Sequence, residues 1–206
     1  MTASPTLSVR VRATTWEAEG ILGFELVPLA SEEPLPVVTA GAHVDLHLPN
    51  GLLRSYSLLN DPGETHRYCI GVNRDANSRG GSQYLHEALR TGAVLTLSAP
   101  RNNFPLDESS PFNVFVAGGI GITPMLGMIA RSQALGTPWR LHYAARTRAP
   151  ATFLGLLGGR RPGGCTRRHA PAPIPPSGAG GRRRAARAGA SCASTSTRSP
   201  AAGCWT

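Results

Sequence analysis

The sequence predicts a β + α/β fold, in which an antiparallel β-barrel is followed by a truncated α/β domain and a disordered tail. Three observations predict it. Residues 7–99 contain six short runs of alternating apolar and polar residues separated by turn residues, as in a small antiparallel barrel. Residues 113–145 change to a strand, helix, strand period, which is typical of a parallel sheet. Residues 159–206 contain one Ile, no Leu, Val or Phe, and no acid.

The barrel is predicted over residues 1–100. Between its fifth and sixth strands, residues 80–92 place apolar side chains at helical spacing and end on Gly92, a stop signal, so one short helix is expected there. The predicted strands are LSVRVRATTW, ILGFELVPL, HVDLHL, LLRSYSLL, RYCIGV and AVLTLSA.

The α/β domain is predicted over residues 101–158. Residues 99–111 are rich in Pro, Asn and Ser, which places a domain boundary there. The strand NVFVAG, the helix TPMLGMIARSQALG and the strand WRLHYAA follow. After one further run, APATFLGLL, the coherent pattern ends, so most of the expected sheet is missing.

The formal charge of +9 belongs to the tail. Residues 1–150 hold 12 acids and 12 arginines, whereas residues 151–206 hold 9 arginines and no acid. With one Ile and no Leu, Val or Phe, the tail cannot bury enough apolar area to offset the entropy lost on ordering it. It is either a natural disordered tail or a frameshifted translation of a GC-rich gene, and the abrupt end of the pattern favours the frameshift.

The sequence predicts a cytoplasmic protein that does not enter the membrane. Its four cysteines are widely spaced, and the first residues lack the order of a signal peptide. Residues 109–130 carry no charge over a length that could span a bilayer. Glycines and a proline interrupt this stretch, which therefore fits strand, turn and helix better.

The first candidate site is the GGS at residues 80–82, which opens the short helix. Glycines leave backbone amides accessible to a phosphate, and the hydroxyl of Ser82 adds a donor. The alternative is structural: Gly80 and Gly81 form a turn and Ser82 caps the helix.

The stretch RSYS, residues 54–57, favours the phosphate interpretation. A strand near the helix start can place the guanidinium of Arg54 against the same phosphate. Tyr56 projects on the side of Arg54, and Ser57 offers backbone and hydroxyl contacts. The combination predicts a flat phosphorylated ring as the ligand, and FMN fits.

The second candidate site is VFVAGGIGITPMLGMIA, residues 114–130. A buried strand, a glycine turn and a helix that begins near Thr123 form the first βα unit of a nucleotide-binding sheet. The spacing G-x-G-x-x-G of the general dinucleotide fingerprint is not present.

Five segments, in this order and spacing, resemble the phthalate dioxygenase reductase and vanillate demethylase reductase family within the ferredoxin reductase superfamily. The resemblance covers roughly residues 7–157. It implies an FMN-binding barrel, an NAD(P)H-binding α/β domain and a plant-type [2Fe-2S] domain that passes electrons to a partner oxygenase. The segments are RSYSLLN, GVNRDANSRGGSQYLHEALRTG, LSAPRNNFPL, FVAGGIGITPML and LHYAARTR.

The resemblance assigns roles in the flavin site. Arg54, Gly81 and Ser82 would contact the FMN phosphate, with Gly80 beside them. Tyr56 and Ser57 would contact the isoalloxazine ring, and Ser57 is one candidate catalytic residue.

The resemblance likewise assigns the nicotinamide site. Gly118, Gly119, Gly121 and Thr123 would line it, and Thr123 is the second candidate catalytic residue. Arg146, in ARTR, matches the position that meets the ribose or phosphate of the nucleotide.

The sequence also departs from the family pattern. A plant-type cluster requires C-x4-C-x2-C and a fourth Cys, and this chain has no such run, so we expect no metal. The expected function is electron transfer from NAD(P)H through FMN to an oxygenase or demethylase, here incomplete. The alternatives are a non-functional truncated product and, less favoured, nucleic-acid binding by the arginine-rich tail.

Overall fold

The six alternating runs form an antiparallel barrel in the computed structural model, which describes residues 5–30, 33–145 and 165–169. The strand order is β4-β3-β6-β1-β2-β5. The two edge strands meet where Leu58 bridges Ile70 and the Leu59 N–H donates to the Cys69 carbonyl at 2.9 Å, which closes the sheet. The strands are β1 (Thr6–Ala18), β2 (Ile21–Pro28), β3 (His43–His47), β4 (Leu53–Ser57), β5 (Tyr68–Asn73) and β6 (Val94–Ser98).

Alternation decides which side chains fill the barrel. On β1, Val9 and Val11 are fully buried, whereas Arg10 and Arg12 face solvent. Successive strand residues point to opposite faces, so this alternation places one apolar face inward. The same pattern on β2 buries Phe24.

The predicted helices and the remaining two strands are also confirmed. Helix α1 (Gly81–Glu87) lies between β5 and β6. Strand β7 (Asn113–Gly118), a 3-10 turn (Gly119–Ile122), helix α2 (Thr123–Ala134) and strand β8 (Trp139–Ala145) follow. β7 and β8 pair in parallel, as the change of period predicts.

A third parallel strand, β9 (Cys165–His169), pairs with β8 inside the segment predicted to be disordered. The prediction did not anticipate this strand. It rested on the lack of apolar side chains, but the open edge of β8 bonds a neighbour through backbone groups, whatever its side chains. The other residues of the predicted tail lie outside the described residues.

The α/β unit packs directly on the barrel, and both contribute to one hydrophobic core. A Cβ built on Gly127 of α2 would lie 3.0 Å from the Asn60 carbonyl oxygen. A Cβ built on Gly41 would lie 2.7 Å from the Met128 terminal carbon. Two glycines therefore permit the close approach of α2 to the barrel.

The outer face of β7 is apolar and open. Val114 is 57% exposed and Val116 is 70% exposed, whereas Phe115 and Ala117, which alternate with them, are buried.

The uncharged stretch at residues 109–130 divides into β7, the turn and α2, as predicted. In the described part of the chain, neither helix has the length and apolar character needed to cross a bilayer.

A buried aspartate joins three strands of the barrel through its carboxylate and its backbone N–H. Asp45 of β3 accepts a hydrogen bond from the Ser55 hydroxyl at 2.5 Å and pairs with Arg101, and its N–H donates to Ser98 Oγ at 2.9 Å. Burial raises the pKa of Asp45, but the hydrogen bonds from Ser55 and Arg101 and the Arg101 charge outweigh burial, so the pKa is lowered.

We expect Asp45→Asn to lower the free energy of unfolding at pH 7 by about 1–3 kcal/mol, because a charged acceptor is lost from a buried network. A lowered pKa stabilises the fold above the unfolded value of about 3.9, and this contribution is lost as pH falls through the folded pKa. The difference between wild type and variant should therefore shrink below about pH 4.

Urea unfolding at pH 7 and at several acidic pH values measures this difference. The control is Asp75→Asn, an exposed turn residue whose carboxylate accepts from the Asn77 N–H, and it should change stability little. A constant difference between wild type and Asp45→Asn across the acid range would contradict the assignment.

Candidate functional site

The Arg54 side chain lies across the first residue of α1. A Cβ built on Gly81 would be 2.5 Å from Arg54 Nε and 2.8 Å from Cγ, which is closer than side chains can approach. Glycine at this position therefore makes room for the arginine. Arg54 Nη1 donates to the Leu53 carbonyl at 2.8 Å, and this bond holds the guanidinium beside β4.

The start of α1 is capped by a residue that the sequence analysis did not single out. Ser78 Oγ accepts from the N–H groups of Gly80 at 3.2 Å and Gln83 at 3.4 Å. Ser82 instead donates to Ser78 Oγ and accepts from the Asp75 N–H at 3.2 Å. Of the structural alternative, the turn at Gly80 is therefore present, whereas the cap by Ser82 is not. The sequence signal for this cap was Ser78, since a serine just before a helix commonly accepts from its first N–H groups.

Gly80 is the residue at which the chain turns into α1, with φ of 93°. Such a left-handed conformation favours glycine. Asn50 Nδ2 lies 3.5 Å from the Gly80 carbonyl oxygen, and the Asn50 side chain also accepts from the Leu52 N–H. The loop between β3 and β4 thus holds the helix start next to Arg54.

Tyr56 and Ser57 complete β4. Both are half-buried, and Ser57 pairs with His43 of β3. Burial raises the pKa of Tyr56, and the positive charge of Arg54 partly opposes that rise. Arg54 and Tyr56 lie two positions apart on β4, so their side chains project from the same face of the strand, and the start of α1 lies beside Arg54.

The glycine turn after β7 borders open space. No described atom lies within 4 Å of a Cβ built on Gly118, Gly119 or Gly121. Gly119 has φ of 52°, which favours glycine. At Gly118 and Gly121, neither a positive φ nor a close described neighbour explains why the residue is glycine. The absence of side chains leaves a smooth backbone surface that a ligand could approach.

Thr123 is buried at the first position of α2. Its hydroxyl donates to the Ile120 carbonyl at 3.0 Å. The hydroxyl proton is therefore engaged with the turn itself.

The two candidate sites lie on neighbouring parts of the molecule. The 3-10 turn lies beside β5. Helix α2, which begins at the turn, packs through Gly127 on Leu58 and Asn60, the residues that follow β4. Tertiary packing therefore couples the glycine turn to the strand that carries Arg54 and Tyr56.

Asn60 makes this junction rigid. The side chain is buried, its Nδ2 donates to the Arg67 carbonyl at 2.6 Å, and its Oδ1 accepts from the Cys69 N–H at 2.5 Å. A buried asparagine with both ends bonded fixes the backbone whose carbonyl faces Gly127.

One predicted residue, Arg146, lies outside the described residues. Cys69 is a free cysteine of the barrel and is half-buried, and burial raises the pKa of its thiol to about 11. It therefore stays protonated near neutral pH. In the described part of the chain, His, Cys, Asp and Glu side chains form no group suited to hold a metal ion.

Comparison with known proteins gives close matches. The chain is 51% identical over 162 residues to the phenoxybenzoate dioxygenase subunit beta of Ectopseudomonas oleovorans, covering 77% of this chain and 50% of that protein. It is 47% identical over 151 residues to the vanillate O-demethylase oxidoreductase of Pseudomonas sp. (strain HR199 / DSM 7063), covering 73% and 47%. No family model matches the chain.

A solved structure agrees with these relatives. The chain superposes on phthalate dioxygenase reductase with a TM-score of 0.75 and 38% sequence identity, covering 80% of this chain and 51% of that one. That protein is described as a modular structure for electron transfer from pyridine nucleotides to [2Fe-2S].

The barrel, the βα glycine turn and their contact define a protein of the ferredoxin reductase superfamily. Within it, the matched part of this chain belongs to the family of phthalate dioxygenase reductase and vanillate demethylase reductase, as the sequence motifs indicate. The chain spans about half the length of the curated relatives it matches.

Proposed function

We propose that this chain binds FMN on the barrel and takes electrons from NAD(P)H bound at the glycine turn. The observation that carries the proposal is the Arg54 side chain lying across Gly81, with a Cβ-free helix start beneath it. The family relationship supports the same assignment.

The phosphate of FMN would bind between Arg54 and the start of α1. A guanidinium is always charged and donates in a planar fork that suits a phosphate. The N–H groups at the start of a helix have no intrahelical acceptor, so those of Gly81 and Ser82 are available as donors. The Ser82 hydroxyl would add a donor if it turned away from Ser78.

The isoalloxazine ring would lie against Tyr56, whose half-buried aromatic ring offers a flat face. Ser57 would direct its hydroxyl and backbone toward polar atoms at the ring edge. Neither residue needs to donate a proton to a substrate, because the flavin itself accepts hydride from NAD(P)H and releases electrons singly.

The nicotinamide nucleotide would bind at Gly118, Gly119 and Gly121, where the backbone borders open space. Thr123 bonds the Ile120 carbonyl of this turn and is proposed to line the same site. Arg146, outside the described residues, is proposed to meet the ribose or phosphate.

The onward partner is proposed to be the terminal oxygenase or demethylase of a multicomponent system, from the names of the relatives. A relay to that partner needs a one-electron carrier, and the sequence has no C-x4-C-x2-C run to bind a plant-type cluster. The cytoplasm is the proposed compartment, since the cysteines are spaced too widely for a disulfide framework.

Titration of the purified chain with FMN, followed by flavin fluorescence, tests the proposal. We expect FMN to bind more tightly than riboflavin, which has the same ring and no phosphate, because only FMN can use Arg54 and the helix start. Anaerobic addition of NADH should then bleach the bound FMN.

Equal affinities for FMN and riboflavin would contradict the phosphate site. Bound FMN that NADH does not bleach would contradict the nicotinamide site and leave the flavin site intact. The two halves of the proposal therefore fail separately.

A further inference from the structure

Tyr143 bonds to the backbone of the glycine turn from a distant strand. It lies on β8 opposite Ala117 of β7, and it is 2% exposed. Its hydroxyl donates to the Gly119 carbonyl at 3.0 Å, across 24 residues of sequence. A buried tyrosine therefore contacts the one turn residue that has a left-handed φ.

We propose that Tyr143 is a positioning residue that holds the glycine turn in the form that receives the nicotinamide nucleotide. This inference rests on the proposed function. It concerns how the turn is held, whereas the proposed function concerns what binds there.

The bonds to Tyr143 and Thr123 fix the direction of two peptide groups of the turn. In a trans peptide the carbonyl and the N–H point in opposite directions. Holding the Gly119 carbonyl against Tyr143 therefore turns the Ile120 N–H away from the hydroxyl. Holding the Ile120 carbonyl against the Thr123 hydroxyl does the same for the Gly121 N–H.

The N–H groups of Ile120 and Gly121 lie next to open space. They lie at the start of a 3-10 turn, where N–H groups have no acceptor within the helix. The glycine positions beside them border space in which no described atom lies within 4 Å of a built Cβ. Oriented N–H groups next to open space suit an anionic group such as the phosphates of a dinucleotide.

The glycine-rich turn needs a contact that orders it before the nucleotide binds. Glycines have the largest conformational freedom in the chain, so three of them within four residues form a segment that is costly to order. Thr123 holds the second residue of the 3-10 turn, Ile120, through its carbonyl. The Tyr143 bond holds the first residue, Gly119, and is made before any ligand arrives, so less ordering remains for binding.

The test compares two tyrosines of the same kind. Tyr143→Phe removes the hydroxyl and keeps the buried ring. Tyr68→Phe is the matched control, since Tyr68 is fully buried and donates to the Pro36 carbonyl at 2.6 Å, in a barrel loop. Both variants should lose similar thermal stability.

Two measurements follow on the full chain. Hydrogen–deuterium exchange should speed up several-fold in the peptide covering residues 118–123 for Tyr143→Phe and stay unchanged for Tyr68→Phe. Calorimetric titration with NADH, before flavin is added, should show a dissociation constant about 3- to 10-fold higher for Tyr143→Phe alone. The FMN affinity of both variants should equal that of wild type.

Unchanged exchange in the turn would overturn the inference, whatever the nucleotide affinity. Faster exchange with an unchanged NADH dissociation constant would show an anchor without a role in binding, which also overturns it. If wild type itself does not bind NADH, the nicotinamide half of the proposed function fails together with the positioning role. Faster exchange in the turn and weaker NADH binding in Tyr143→Phe alone would support both.

Discussion

Replacing Arg54 with Ala should weaken FMN binding about 10- to 150-fold, which corresponds to about 1.5–3 kcal/mol for a lost charge-assisted hydrogen bond. The guanidinium lies across the start of α1, where the phosphate is proposed to bind. Riboflavin affinity should change little, because riboflavin has no phosphate. Fluorescence titration of wild type and variant with both ligands measures the difference.

The matched control is Arg10→Ala. Arg10 is another strand arginine whose Nη1 donates to a loop carbonyl, that of Gly92, at 3.0 Å. Arg10 lies on β1, three strands from β4 in the strand order, so it is far from Arg54 and FMN affinity should not change. Equal losses in the two arginine variants would indicate a general charge effect and contradict the site.

Gly81→Ala provides a second variant at the same site. Its Cβ would displace the flexible Arg54 side chain, and alanine favours a helix more than glycine does. We therefore expect lower FMN affinity without a lower melting temperature. A variant that binds FMN as well as wild type would show that the placement of Arg54 is not required.

Gly41→Ala should destabilise the fold by about 2–5 kcal/mol, from left-handed strain and overpacking together. Gly41 has φ of 94°, and its Cβ would lie 1.9 Å from the Phe104 carbonyl oxygen. The obstructing atom is backbone, so no side-chain rotation relieves the clash. Denaturant unfolding of wild type and variant measures the loss.

Gly92→Ala separates the two causes. Gly92 has φ of 91°, nearly that of Gly41, but no described atom lies within 4 Å of its Cβ position. This variant should show the strain alone, about 1–2 kcal/mol. Equal losses in the two variants would mean that the close approach of Phe104 to Gly41 contributes nothing to the loss.

Most elements of the fold could be predicted, because their patterns are local. Alternation on β1 and β2 and the helical spacing in α1 each need only neighbouring residues. The strand β9 could not be predicted, since its side chains carry no apolar pattern and the backbone edge of β8 supplies the pairing.

The candidate site was predictable to a different degree. Arg54 and the GGS at residues 80–82 stand out as residue types that bind a phosphate, although Gly80 comes 26 positions after Arg54. The residue types of Ser78, Asn50 and Tyr143 do not by themselves indicate a role in either site. Their roles depend on which carbonyl or N–H group lies within hydrogen-bond distance of them after folding.

The sequence by itself determined the type and order of most strands and helices, the family, and the residue types of both candidate sites, because periodicity and motif spacing are properties of the chain. Only the tertiary structure decided that Arg54 lies on Gly81, that α2 packs on the segment after β4, and that Tyr143 holds Gly119. These contacts join residues that are distant in sequence. Such contacts depend on how the closed barrel and the parallel sheet pack together, which no local pattern encodes.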